Sequence, residues 1–287
     1  MHNAWIALVI VLLVFGCSPM RLVNSLSDTE DLETLTNFSY GTDVRQQLDV
    51  YMPKKVVEDS PVVVFFYGGS WKRGEKEKYS FVGHTFSSMG YVTVIPNYRL
   101  YPQVKFPAFV EDGAEVLSWV SENLQQAKNG VVIMGHSAGA HTAALLAFDH
   151  SYLLKTGQSP DIIRGMVGLA GPYGFNPMQY RSTRPIFAGI EQTDLARPVA
   201  FACSAKAPVL LFHGVDDGIV IPANSRELKR SIDACGGSVD YFELEDTGHF
   251  TIVLGLSGSF LAKSAILSPL EMFLQTLSRQ PITTRKT

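Results

Sequence analysis

The chain is poor in several things, and each shortage closes a route. Only 3 of its 287 residues are cysteine, which excludes a small fold stapled by disulfides. No C-x-x-C or H-E-x-x-H spacing occurs, so there is no zinc signature to read, and no metal or organic cofactor is expected. Charged residues make up 18%, and the net charge of −3 offers no basic surplus for phosphates. Nucleic acid is therefore not an expected partner. No internal repeat or low-complexity run is visible, which argues against a solenoid. What remains is globular composition, 46% hydrophobic, in a chain long enough to bury a large core without staples.

The one compositional anomaly is at the N-terminus. Ala4 to Phe15 is an unbroken apolar run. It falls short of the about 20 residues that a membrane span needs, and it fits the apolar region of an export signal. Val14-Phe15-Gly16-Cys17 resembles a bacterial lipobox, in which cleavage before the cysteine leaves that cysteine lipidated. One feature departs from the usual signal: no Lys or Arg precedes Arg21. Residues 1–17 are thus expected to be an export signal with a lipobox. Residues 18–39, polar and irregular, read as a tether, and residues 40–280 as one domain. This implies an exported lipoprotein anchored to a bacterial membrane and facing the periplasm or cell surface. Cys203 and Cys235 are then left over. An oxidising compartment permits a bridge, but two unpaired buried thiols are the favoured reading.

From about residue 40 the pattern alternates strand and helix. Val62–Phe66, Tyr91–Ile95, Val131–Met134, Met166–Leu169 and Val209–Phe212 are continuous apolar runs, the mark of strands buried on both faces. Gln47–Tyr51 and Val239–Leu244 alternate at period two, the latter as an edge strand does. Helical patterns occupy Pro107–Gln126, Ala138–Phe148, Pro222–Cys235 and Ser268–Leu277. Ala138–Phe148 is small and apolar throughout, so it is expected to be buried. The order implies a mostly parallel sheet with helices on both faces, and chemistry at the carboxyl ends of the strands. Residues 171–205, rich in Gly, Pro, Arg and aromatics, read as a small cap over that end.

Reactive residue types fall where those strands end. Gly135-His136-Ser137-Ala138-Gly139 matches G-x-S-x-G, with a strand before it and a small-residue helix after it. A serine hydroxyl is a weak nucleophile at neutral pH and needs an adjacent base. When this motif carries the nucleophile, the triad continues in the order acid, then histidine. His249 is the histidine late enough and on a loop after a strand. His136 and His141 read as packing or hydrogen-bonding residues, and His213 as support for the acid loop. The acid lies in His213-Gly214-Val215-Asp216-Asp217. Residue chemistry alone does not separate Asp216 from Asp217, since neighbours in an extended loop point opposite ways. Tyr67-Gly68-Gly69-Ser70-Trp71 follows another buried strand. Its glycines allow the N–H groups of Gly68 and Gly69, with that of Ala138, to converge on a developing oxyanion.

Together these motifs resemble the α/β-hydrolase superfamily, and within it the carboxylesterase branch with a His-Gly-Gly-x-Trp segment. That branch includes hormone-sensitive-lipase-like esterases, kynurenine formamidases and feruloyl-esterase-like enzymes. The resemblance rests on Tyr67–Trp71, Pro96-Asn97-Tyr98-Arg99-Leu100, Phe106-Pro107 with Asp112, the Ser137 turn, the Asp217 loop and His249. It covers about residues 45 to 277. It implies an α/β-hydrolase fold and selects Asp217, the fifth residue of His-Gly-x-x-Asp. It also implies hydrolysis of a small carboxylic ester through an acyl-serine, with Ser137, Asp217 and His249 as triad. The alternative within enzymes is an arylformamidase, with the Trp71 ring stacked on the substrate. The alternative outside enzymes is a catalytically inactive binding protein on the same fold. One departure stands out: Tyr67 occupies the place of the branch's leading histidine, which supports the oxyanion loop. Asn97-Tyr98-Arg99 is expected to brace that loop from the neighbouring strand end.

Overall fold

The computed structural model describes residue 24, residues 32–257 and residues 263–279. The expected export signal and lipobox, residues 1–17, lie outside the described residues. Eight strands form one sheet: β1 (Glu33–Ser39), β2 (Gln47–Met52), β3 (Val62–Phe66), β4 (Thr93–Pro96), β5 (Val131–His136), β6 (Ile163–Leu169), β7 (Val209–Gly214) and β8 (Val239–Leu244). Their order in space is β1-β2-β4-β3-β5-β6-β7-β8. β4, β3 and β5 to β8 are mutually parallel, while β2 runs antiparallel to β4 and β1 antiparallel to β2.

The apolar runs behave as their composition demands. Every residue of β3, β4, β5 and β7 is buried, so both faces of the sheet are covered. β8 alternates and is half exposed, as an edge strand is. Residue 39 is not the end of a tether: the chain joins the sheet at Glu33, as β1. Glu-Thr-Leu-Thr-Asn-Phe-Ser has no buried position, so it carries no apolar periodicity to read.

Within residues 32–257 and 263–279 the α-helices are α1 (Ser80–Ser88), α2 (Ala108–Asn123), α3 (Ala138–Phe148), α4 (Ser151–Lys155), α5 (Ala223–Ala234), α6 (Thr251–Leu254) and α7 (Lys263–Arg279). α1 is built from Ser, Gly, His and Thr among its apolar residues, weak helix formers that hide it in the sequence. Its Gly83 lies against the Tyr51 ring, where a Cβ would collide, so tertiary packing fixes this helix rather than propensity. All eleven residues of α3 are buried. α7 begins at Lys263, ahead of the expected Ser268, and carries Pro269 inside it.

From β3 the chain moves to one side to form β4, then crosses back to form β5 on the other side of β3. The strand order therefore reverses between β3 and β5. In an open α/β sheet a crevice forms at the carboxyl ends of the strands at such a point. Residues 171–205 form turns and two 3-10 segments, Thr193–Ala196 and Pro198–Ser204. Ile186, Phe187, Ala196 and Ala202 from this stretch are buried in the same core as the sheet.

Cys203 and Cys235 are bonded to each other, which corrects the expectation of two unpaired thiols. They are 32 residues apart in sequence, and nothing local announces their approach. The fold brings the end of α5 against the Pro198–Ser204 segment, with the Cα atoms 5.2 Å apart. Closing a loop of this length restricts the unfolded chain, so Cys235→Ser is expected to destabilise the protein by about 2–4 kcal/mol. The check is the urea midpoint under oxidising conditions, with the difference from wild type vanishing when both are reduced.

Candidate active site

Ser137 stands between β5 and α3 with φ 55° and ψ −121°, a conformation an L-residue adopts only when its surroundings enforce it. The enforcement is backbone contact. A Cβ on Gly139 would strike the carbonyls of Phe66 and Tyr67, and one on Gly135 would strike the Gly139 carbonyl. The Ser137 N–H donates to Leu169 O at 2.9 Å, which ties the turn to β6. α3 begins immediately afterwards, so its N-terminus faces the serine.

The late histidine and the acid loop converge on that serine. His249 Nε2 lies 2.8 Å from Ser137 Oγ, and His249 Nδ1 lies 2.7 Å from Asp217 Oδ2. Asp217 is buried and faces the imidazole, while Asp216 is exposed. Burial alone would raise the pKa of Asp217. Hydrogen bonds from His213 and His249, and from the Val220 N–H, outweigh that and hold it well below the usual carboxylate range. An ionised carboxylate only accepts, so Nδ1 of His249 carries the proton and Nε2 presents a lone pair to the serine hydroxyl. Asp217 divides its oxygens: Oδ1 accepts from the N–H groups of Ile219 and Val220, both at 2.9 Å, and Oδ2 faces the histidines.

A second tier of histidines fixes the first. His213 bonds Val220 O and Ser225 Oγ, each at 2.7 Å, and so holds the acid loop against α5. His136 Nε2 donates to His249 O at 2.8 Å and fixes the backbone of the base. His141 Nε2 donates to Ala196 O at 2.8 Å, joining α3 to the cap. Burial pushes the pKa of His136 down to about 3 and of His141 down to about 4, so both are neutral struts.

The loop after β3 reaches the serine from the neighbouring strand. A Cβ on Gly68 would lie 2.9 Å from Ser137 Cβ and 2.9 Å from His136 Nδ1. Gly69, Ser70 and Trp71 all have positive φ, at 141°, 54° and 57°. Among the described residues, the N–H groups of Gly68, Gly69 and Ala138 have no protein acceptor, so all three are free to meet an oxyanion. Tyr98 Oη donates to Tyr67 O at 2.7 Å, and Tyr67 Oη donates to Asn97 Oδ1 at 2.8 Å. Asn97 and Tyr98 thus brace this loop, as the sequence suggests, while Arg99 turns instead to the Asp112 carboxylate, at 2.6 Å. Arg45, in no recognisable motif, also reaches Tyr67 Oη, at 2.9 Å.

A cavity of about 380 Å³ opens over Ser137. The cap supplies Pro172, Phe175, Tyr180 and Thr183 to its wall, and the acid loop supplies Gly218 to Ile221. Trp71 also lines it, its ring stacked on Phe175 at 5.8 Å. No cluster of potential metal ligands occurs among the described residues.

A strand-order reversal, a strained serine between strand and helix, and an acid and histidine on later strand ends define an α/β-hydrolase fold. A profile of the BD-FAE family matches residues 48–232, and the chain belongs to that family. Among curated proteins, the chain is 29% identical over 225 residues to an isoprenylcysteine alpha-carbonyl methylesterase of Arabidopsis thaliana, covering 70% of this chain and 53% of that protein. It thus spans about half the length of that relative. It is 27% identical over 230 residues to a kynurenine formamidase of Danio rerio, covering 77% and 76%. Esterase B of Lactobacillus rhamnosis superposes with a TM-score of 0.75 at 20% identity, covering 97% of this chain and 96% of that one. A thermophilic carboxylesterase from a metagenomic library does so with 0.72 at 17% identity, covering 91% and 94%.

The buried histidines generate a pH dependence. Neutral in the fold, His136 and His141 regain their ordinary affinity for protons on unfolding. Between pH about 4 and 6.5 the unfolded chain therefore binds more protons, and stability falls as pH drops through that window. Gln at position 141 keeps a donor for Ala196 O but cannot titrate. His141→Gln is expected to flatten the stability–pH slope by on the order of 1 kcal/mol per pH unit between pH 5 and 6, read from urea midpoints.

Proposed function

We propose that the protein is a carboxylic ester hydrolase acting through an acyl-serine intermediate. The observation that carries this reading is the continuous hydrogen-bond line Asp217–His249–Ser137 beside three unengaged N–H groups. His249 Nε2 takes the hydroxyl proton as Ser137 Oγ attacks the ester carbonyl. Asp217 keeps the imidazole oriented and stabilises its charged form without taking the proton. The N–H groups of Gly68, Gly69 and Ala138 receive the oxyanion, with the N-terminus of α3 adding its dipole. His249 returns the proton to the leaving alcohol, and water repeats the sequence to free the acid.

The apolar wall of Trp71, Pro172, Phe175 and Ile221 suits an acyl or aryl group, and about 380 Å³ holds a small one. The matched family and the esterase among the relatives support ester hydrolysis. The formamidase relative keeps a second reading alive, hydrolysis of an N-formylated aromatic amine with its ring against Trp71. An inactive scaffold has little support, because the three candidate triad residues lie at hydrogen-bond distance.

The chain is further read as an exported lipoprotein anchored through Cys17. The apolar run before Cys17 supports this, as does a disulfide, which persists in oxidising compartments. No helix among the described residues is long and apolar enough to cross a membrane. Mass spectrometry of the mature N-terminus tests the anchor: a diacylglyceryl-modified Cys17 is expected, and an unmodified Met1 would refute it.

The chemistry is tested by labelling with a fluorophosphonate and by turnover of p-nitrophenyl acetate and butyrate against N-formylkynurenine. Ser137→Ala is expected to abolish labelling, and His249→Ala to lower turnover by roughly 10⁴ to 10⁶. Higher kcat/KM on the formamide than on both esters would select the second reading. Intact protein that neither labels nor turns over any of them would select the scaffold.

A further inference from the structure

The loop that must present the oxyanion donors is strained. Ser70 and Trp71 are consecutive non-glycine residues at φ 54° and 57°, directly after Gly69 at 141°. Such a residue persists only where its surroundings over-determine it. The N–H direction of Gly68 depends on the same loop. The Tyr67–Gly68 peptide is planar, so fixing its carbonyl on Tyr98 Oη turns the Gly68 N–H the opposite way.

One side chain grips both ends of this loop. Arg45 lies in the turn between β1 and β2, outside the residues matched by the family profile. Its Nη2 donates to Tyr67 Oη at 2.9 Å and to Gly74 O at 2.9 Å, and its Nε donates to Tyr98 O at 2.8 Å. The loop thus enters at Tyr67 and leaves at Gly74 under a single planar guanidinium. Tyr67 is wholly buried, stacked between Tyr98 at 4.7 Å and Tyr79 at 5.4 Å. Its hydroxyl relays the grip to Asn97, whose Oδ1 also accepts from the Lys76 N–H at 2.8 Å, just past the loop. A fork of donors in a plane does this; a lysine ammonium, a point charge on a flexible stem, does not reproduce it.

The geometry points to Arg45 as a positioning residue for the oxyanion hole, acting through Tyr67. The pair Arg45–Tyr67 takes over the support that a histidine gives elsewhere in the branch. This rests on the hydrolase reading above. The reacting atoms do not touch Arg45, so ground-state binding is left alone and the transition state loses its donors when the clamp is cut.

The test uses the full chain, p-nitrophenyl butyrate, and active sites counted by fluorophosphonate titration to its end point. The variants are Arg45→Lys, Tyr67→Phe and both together. Tyr67→Phe keeps both ring stacks and removes only the hydroxyl through which Arg45 acts, so an unchanged kcat per site in that variant overturns the proposal even if Arg45→Lys does not fold. Each single variant is expected to lower kcat per titrated site about 10- to 100-fold, below the 10² to 10³ of a direct donor. KM should stay within about twofold, and the double variant should be no worse than the worse single. A merely structural role would lower the urea midpoint and the titratable fraction while kcat per site held. Values of kcat per site within about twofold of wild type, or losses that multiply in the double variant, would overturn the proposal. Wild-type protein that neither labels nor turns over would instead overturn the hydrolase reading itself.

Discussion

The ends of β3 and β5 approach each other backbone to backbone, and the site depends on that contact more than on any side chain. Gly139 rests on the carbonyls of Phe66 and Tyr67, and Gly68 rests on Ser137. Neither contact admits a Cβ. The approach brings the candidate nucleophile from one strand and the candidate oxyanion donors from its neighbour into one crevice. It also fixes the composition of α3, whose eleven buried residues are packed between the sheet and its surroundings. The strain at Ser137 follows, since the chain must turn from strand to helix within a single residue while β3 blocks the other side.

Electrostatics then completes what the backbone begins. The candidate base, His249, is held at two places: its ring by Asp217 and its backbone carbonyl by His136. The acid is held in turn by two N–H groups and by His213, which is anchored on Ser225 of α5. Burial keeps His136 neutral, which matters because a second positive imidazole 4.9 Å from His249 would oppose the charge that the proposed mechanism places there. Neutral, it donates one hydrogen bond and adds no field. His141 does the same for the cap through Ala196 O.

The sequence discloses features in proportion to how far they are encoded locally. Buried parallel strands are continuous apolar runs, so β3, β5, β6 and β7 are legible, and Ser137 and His249 follow from their positions at strand ends. β1 is not legible, because an exposed edge strand needs backbone partners but no apolar side chains. The choice between Asp216 and Asp217 turns on which neighbour the loop faces inward, and only the family pattern settles it beforehand. The pairing of Cys203 with Cys235 depends on where α5 ends relative to the cap, a long-range fact. Arg45 is the hardest case. It lies in a short turn between exposed Val44 and buried Gln46, and its three acceptors come from segments 22 to 53 residues away.

That last residue changes how the Tyr67 substitution is understood. A tyrosine hydroxyl lies farther from the backbone than an imidazole nitrogen, so it cannot support the same loop from the same atoms. Here it reaches past the loop to Asn97, and a cation from the sheet edge meets it there. The edge itself is secured by further polar ties: Tyr40 Oη to Asn97 O at 2.6 Å, Gln46 Nε2 to Asp112 Oδ1 at 2.9 Å, and Arg99 Nη2 to the same carboxylate at 2.6 Å. Buried Lys76 adds an ion pair to Asp49 of β2 at 2.8 Å. The antiparallel β1–β2 pair supplies none of the candidate triad or oxyanion donors, yet its turn carries Arg45, which bonds Tyr67 and Gly74 at the two ends of the candidate oxyanion loop. Support that a single histidine would concentrate beside the loop is therefore drawn from the sheet edge, with both ends of the loop meeting on Arg45.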